Sequence, residues 1–129
     1  MRIAVAGATG TVGSLVVRAA EERGHEVVPL SRRGGVDVVS TLGLDAALRG
    51  AEVVIDVLNT PSVLKQAAVA YFEATTRNLL AAEARAGIGH HVALSIVGID
   101  GVDAGYYAGK LAQERMVTAG AVPFSLLRA

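Results

Sequence analysis

Residues 1–17 read MRIAVAGATGTVGSLVV, and the rest of the chain is organised around them. Ile3, Ala4, Val5 and Ala6 form an apolar run too short for a helix, which reads as a fully buried strand. Gly7, Gly10 and Gly13 follow at three-residue spacing, and Val12, Leu15, Val16 and Ala19 then recur at helical spacing. Strand, glycine turn and helix together are the context that a nucleotide-binding glycine motif requires. Gly7 falls where the chain must turn out of the strand. Gly10 falls where backbone would approach a pyrophosphate, and Gly13 where the helix packs on the strand. Unpaired N–H groups and about half a positive charge at the helix start attract phosphate without a cationic side chain. A plain βα turn would need Gly7 alone.

Composition narrows the fold. The 129 residues are 52% hydrophobic but only 4% aromatic, so the core has to be aliphatic, as in a parallel sheet covered by helices. Twelve basic and twelve acidic residues balance, which leaves no net field to attract nucleic acid or an acidic membrane. The absence of cysteine excludes disulfides and thiolate metal sites and fits the cytoplasm. No apolar run approaches the roughly 18 residues of a membrane span. The opening strand leaves no room for a signal peptide.

Along the chain, Glu21 to Gly24 reads as a helix stop, with Gly24 at the C-cap. His25 to Leu30 is a second strand, with Pro29 near its end, where a missing N–H does least harm. Ser31 to Gly35 is a loop, Val36 to Val39 could form a short third strand, and Leu44 to Leu48 is a helical turn. Val53 to Leu58 is a strong buried strand in which Asp56 needs a partner. Thr60 and Pro61 are expected to cap and begin a long helix that runs to Ala86 and ends at Gly87. His91 to Val97, a helix from Tyr106 to Ala119, and Pro123 to Leu127 complete the pattern. Strands alternating with helices predict a doubly wound parallel α/β sheet of about six strands in one domain, residues 1–129.

Two constellations carry chemistry. At the end of the second strand an acidic residue would favour NAD, and an arginine would accommodate the 2′-phosphate of NADP. Ser31, Arg32 and Arg33 stand there, with no carboxylate nearby in that loop, so NADP is favoured over NAD; the alternative is a merely solvated loop. The second set is Ser95, Tyr106 and Lys110. Ser95 lies near the carboxyl end of a strand, and Tyr106 and Lys110, four apart at a helix start, share one face. A tyrosine can protonate a carbonyl oxygen, an adjacent ammonium lowers its pKa, and a serine hydroxyl can hold the substrate oxygen. Tyr107 is a competing tyrosine. Asn59 and Thr60 sit at the same sheet edge and could contact the cofactor or merely cap a helix. His90 and His91 read as a surface turn rather than a metal site, since no third ligand is in view. Asp100 and Asp103 read as turn residues, and Arg18, Glu21 and Glu22 as a solvated helix face.

The glycine motif GATGTVG, Ser95 within LSIVG, and YYAGK from Tyr106 to Lys110 resemble the short-chain dehydrogenase/reductase superfamily. The stretch TRNLLAAEARAGIGHHVALSIVG, then YYAGK and LLRA, is similar to its atypical NmrA-like, NAD(P)H-binding branch. The resemblance spans the whole chain and implies a Rossmann-like fold. It makes Gly7, Gly10 and Gly13 pyrophosphate contacts, with Thr9, Thr11 and Val12 between them in the cofactor-binding set. It also makes Ser95, Tyr106 and Lys110 the catalytic serine, tyrosine and lysine, the lysine touching the nicotinamide ribose as well. Two departures follow. The superfamily's fourth catalytic residue, a helical asparagine, aligns with Phe72, while Asn78 falls elsewhere on that helix. Family members also run on past the position of Ala129 into a substrate-binding portion, so a truncated member is expected. Its last strand, Pro123 to Leu127, would leave an apolar sheet edge that invites pairing with a second copy.

The activity expected is an NADPH-dependent reduction of a small carbonyl or quinone. The alternative is a non-catalytic NmrA-like regulator that senses dinucleotide, or a cofactor-binding fragment without activity of its own. Retention of both Tyr106 and Lys110 favours the enzyme, since a sensor needs neither.

Overall fold

The computed structural model describes residues 1–62, 64–98 and 104–129. Five parallel strands form one sheet: β1 (Arg2–Ala6), β2 (Glu26–Leu30), β3 (Val53–Asp56), β4 (His90–Ser95) and β5 (Phe124–Arg128). Their spatial order is β2-β1-β3-β4-β5. The chain runs outward from β1 to β2, then crosses back to β3, so the switch point lies between β1 and β3. Ligands bind outside the carboxyl ends of strands at such a point. Four helices are described: α1 (Thr11–Glu22), α2 (Leu44–Leu48), α3 (Lys65–Ala86) and α4 (Gly105–Ala119).

The apolar run of β1 is buried on both faces because each face meets a different layer. Ala4 and Ala6 join a cluster with Leu30, Leu44, Leu48 and Leu79 on the α2–α3 side. Ile3 and Val5 pack with Ala8 and Ala20 on the α1 side. Pro29 causes no loss in the ladder because β2 is an edge strand, paired only with β1. Of the residues at helical spacing from Leu64 to Ala82, Ala68, Phe72, Thr75, Leu79 and Ala82 are buried and Tyr71 is half-buried, but Leu64 and Ala67 are exposed; Gly87 ends the helix at φ 72°. Arg18, Glu21 and Glu22 are exposed, as read. Asp100 and Asp103 lie outside the described residues.

Three expectations are corrected. Val36–Val39 is not a strand, so the sheet has five strands and not six. Asp37 accepts from the Val39 N–H at 2.9 Å, and the Asn78 amide donates to the Val38 and Val39 carbonyls at 2.9 and 3.0 Å. These bonds satisfy the segment's backbone without a neighbouring strand, while Val36 and Val38 plug the core. The long helix begins at Lys65, not at Pro61. The Thr60 hydroxyl accepts from the Ser62 N–H at 3.3 Å, and such local side-chain turns compete with helix.

The third correction is at His91, which is no surface turn. It is fully buried on β4, and its Nδ1 lies 2.7 Å from Glu83 Oε2 on α3. Its neighbour His90 is also a strand residue, with Nε2 2.8 Å from the Ser125 hydroxyl on β5. Among the described residues no cluster of three or more His, Cys, Asp or Glu could hold a metal, and no helix is long and apolar enough to cross a membrane.

Candidate functional site

The glycine turn is built as its spacing implies. Gly7 leaves β1 at φ 86°, and a Cβ there would lie 2.8 Å from the Val57 carbonyl oxygen. At Gly13 a Cβ would fall on the Gly7 carbonyl, so only glycine lets α1 lie this close to the turn. Gly13 therefore acts through packing, not as a lining residue. The Gly10 N–H returns to Gly7 O at 3.0 Å, and Ser14 N–H to Gly10 O at 2.9 Å. No side chain caps α1 and no acid stands in its first turn, which leaves its amino end to an anion.

A cleft of about 460 Å³ opens beside this turn, along the carboxyl ends of β1, β2 and β3. Gly7, Thr9, Gly10, Ser31, Arg32 and Asn59 line it, as expected of cofactor-contacting residues. Thr11, Arg33 and Thr60 are not among its lining residues; Val12 lines the neighbouring cleft. Asp37, Val38, Leu58 and Tyr71 also line the larger cleft and escaped the sequence reading. The Ser31–Gly35 loop itself holds no carboxylate, but Asp37, just beyond it, lines the same cleft as Arg32. The Val39 N–H holds its carboxyl below the usual range, with Ser40 and the Arg32 charge adding to that effect. No motif marks Asp37, because it reaches the cleft through an irregular loop.

A smaller cleft of about 80 Å³ adjoins the first and shares Val57, Leu58 and Asn59 with it. Ser95, Tyr106 and Lys110 meet there, with Val12 opposite. Ser95 ends β4, is 3% exposed, and its hydroxyl has no hydrogen-bond partner among the described residues. An orphaned buried hydroxyl aimed into a cleft suits a ligand oxygen. Lys110 is 4% exposed, donates to the Leu94 carbonyl at 2.7 Å and lies 4.8 Å from the centre of the Phe72 ring. Burial pushes its pKa down, against the opposing charges of Asp56 and Glu114. Asp56, fully buried, finds the partners it needs in the Leu58 N–H at 2.9 Å and the Gln113 amide at 3.0 Å.

Tyr106 differs from the expected Tyr–Lys pairing. Its hydroxyl donates to Asn59 Oδ1 at 2.6 Å, and burial raises its pKa, the direction opposite to that expected of an adjacent ammonium. Phe72 is fully buried and stands edge-on to Tyr106, with ring centres 5.6 Å apart. Asn78 is taken up by the Val38–Val39 backbone and plays no part in this cleft. The exposed Tyr107 does not line the cleft.

Comparison with known proteins agrees with this parallel α/β fold. The model of the NAD dependent epimerase/dehydratase family matches residues 3–121. The chain belongs to that family. No curated protein matches it. Among solved structures it is similar to MoeE5 in complex with UDP-glucuronic acid and NAD, at 23% identity and TM-score 0.80, over 99% of this chain and 54% of that one. UDP-N-acetylglucosamine 4-epimerase from Bacillus cereus gives 23% identity and TM-score 0.84, over 99% and 58% of the two chains. The NADPH-dependent quinone oxidoreductase QOR2 from Escherichia coli, complexed with NADPH, gives 20% and 0.77, over 98% and 48%. At these identities the likeness is one of fold. The chain spans about half the length of the structures it matches.

Proposed function

We propose that this chain supplies the cofactor-binding half of an NADPH-dependent reductase acting on a small carbonyl or quinone. The observation that carries the reading is the unpartnered, buried Ser95 hydroxyl beside Tyr106 and Lys110, one cleft away from the glycine turn. When bound, the reduced nicotinamide would supply a hydride to the carbonyl carbon. Ser95 would donate a hydrogen bond to the substrate oxygen, and Tyr106 would release its phenolic proton to that oxygen. Lys110, at the floor of the cleft, would hold a ribose hydroxyl and stabilise the tyrosinate left behind. The amino end of α1 and the Gly7–Gly13 turn would take the pyrophosphate.

NADPH is preferred over NADH in this proposal because Ser31 and Arg32 line the large cleft at the end of β2, where the adenosine ribose would lie. Asp37 on the same wall works against that preference. Arg32→Glu should therefore lower the NADPH:NADH affinity ratio, and an unchanged ratio overturns the arginine argument. We further propose that the β5 edge, where Phe124 and Leu127 are 39% and 61% exposed, pairs with a second copy. A Leu127→Lys variant that elutes at the same size as the parent would rule this out.

NADPH consumption with a panel of quinones and aldehydes tests the reductase. Turnover lost in Tyr106→Phe supports it, whereas tight NADPH binding with no turnover on any compound overturns it. Phe72 favours a second reading, a dinucleotide-sensing regulator, because it puts an apolar ring where the family resemblance expects a relay asparagine. NADPH binding without turnover is the outcome that reading requires.

A further inference from the structure

Asn59 stands just beyond the carboxyl end of β3, on the wall common to the two clefts. Its Oδ1 accepts from the Thr60 N–H at 2.9 Å and from the Tyr106 hydroxyl at 2.6 Å. The Thr60 contact settles which way the amide points, since a backbone N–H can meet only the oxygen. That oxygen has no proton to give Tyr106, so the short contact exists only while the phenol keeps its own proton. The other neighbours are consistent with this. Phe72 presents an apolar ring to Tyr106, and the Lys110 ammonium is engaged by the Leu94 carbonyl.

We propose that Asn59 is a positioning residue that holds the Tyr106 hydroxyl as a hydrogen-bond donor, so that the site meets its substrate with the phenol protonated. This rests on the reading of Tyr106 as the acid and goes further by naming the group that fixes its protonation state before substrate binds. The Tyr106 O–H would exchange Asn59 Oδ1 for the substrate oxygen. With a hydride supplied to the carbonyl carbon by the bound cofactor, that O–H bond would break, the proton would join the oxygen, and solvent would restore the proton to the tyrosinate. An acceptor that favours the neutral phenol disfavours the phenolate needed for the reverse reaction.

The test is an NMR titration of the protein carrying tyrosine labelled with ¹³C at Cζ. The three tyrosines give separate signals, and Tyr106 is assigned by its loss in Tyr106→Phe. In Asn59→Ala the Tyr106 midpoint should fall, because the acceptor for the neutral form is gone. In Asn59→Asp it should rise, because a carboxylate is a stronger acceptor and adds negative charge. The charge of the aspartate raises the midpoint by itself, so the fall in Asn59→Ala is the decisive result, and Asn59→Gln, which keeps the acceptor oxygen, should restore the parent value where mere loosening would not. A midpoint unmoved or raised in the alanine variant, or unmoved or lowered in the aspartate variant, overturns the proposal. Neither cofactor nor turnover enters this measurement, so its failure and the failure of the reductase reading are separate results.

Discussion

The two ends of β4 treat their polar residues in opposite ways. His91, Ala93 and Ser95 are 0%, 1% and 3% exposed and alternate along the strand, so all three face the same helical layer. At the amino end His91 and Glu83 close on each other, with Nδ1 2.9 and 2.7 Å from the two carboxylate oxygens. At the carboxyl end the Ser95 hydroxyl is left open beside Lys110 and Tyr106. Burial works against a charge on both His91 and Glu83. The Glu83 carboxylate outweighs it at His91 and raises the imidazole above its ordinary 6.5, and burial raises Glu83 as well. A buried polar group must find a partner or incur a cost. At the amino end His91 Nδ1 and the Glu83 carboxylate satisfy each other, although His91 Nε2 has no partner among the described residues; at the carboxyl end the Ser95 hydroxyl has none at all.

Breaking the closed end should have the largest effect. His91→Ala strands the Glu83 carboxylate in the core and should lower unfolding free energy by about 3–5 kcal/mol, read from urea midpoints. A loss under about 1 kcal/mol would show that the pair is not held charged and buried. At the open end the support is apolar packing of α4 on α3. A Cβ added at Gly109 would meet Phe72 Cδ2 at 2.7 Å and Ala68 backbone at 2.9 Å. Gly109→Ala should therefore cost about 1–3 kcal/mol and shift the Tyr106 and Lys110 resonances.

Acidity separates the two ends further. Both groups of the closed pair hold protons more tightly folded than unfolded, so the stability they confer is complete at low pH and declines as pH rises through the raised folded value of His91. Unfolding free energy should fall above about pH 6.5, by no more than about 1.4 kcal/mol per unit, and this slope should flatten in Glu83→Gln. An equal slope in both proteins would assign it to other groups. The smallest effect belongs to Ser95. Removing a hydroxyl that has no partner should change stability by less than about 0.5 kcal/mol while abolishing the proposed turnover. A large stability loss in Ser95→Ala would mean that the open end is structural after all.

What could be read in advance follows the range of the interactions. Strand β1, its glycine turn and α1 are specified by neighbours a few residues apart, and so are Leu44–Leu48 and the stop at Gly87. Val36 and Val38 look like strand residues because burial and β-propensity produce the same letters. Asn78, forty residues away, satisfies their backbone instead. The start of α3 is not legible from Thr60 and Ser62, which can cap a helix or form turns of their own, and sequence alone does not choose. The burial of His91 is hidden in the sequence because a histidine pair beside a glycine resembles a turn, and its partner Glu83 is eight residues back on another element.

By itself, then, the sequence determined the doubly wound α/β class, the glycine turn between β1 and α1, and the pairing of Tyr106 with Lys110 on one helix face, near the end of the strand that carries Ser95. Each rests on local backbone geometry or on residues that share one face of an element. Only the tertiary structure decided how those side chains are engaged. Tyr106 meets Asn59 across 47 positions, Asp37 joins Arg32 in one cleft, and Phe72 packs against both Tyr106 and Lys110. Periodicity says which way a side chain points, but its hydrogen-bond partner and its desolvation depend on what the rest of the chain brings to meet it.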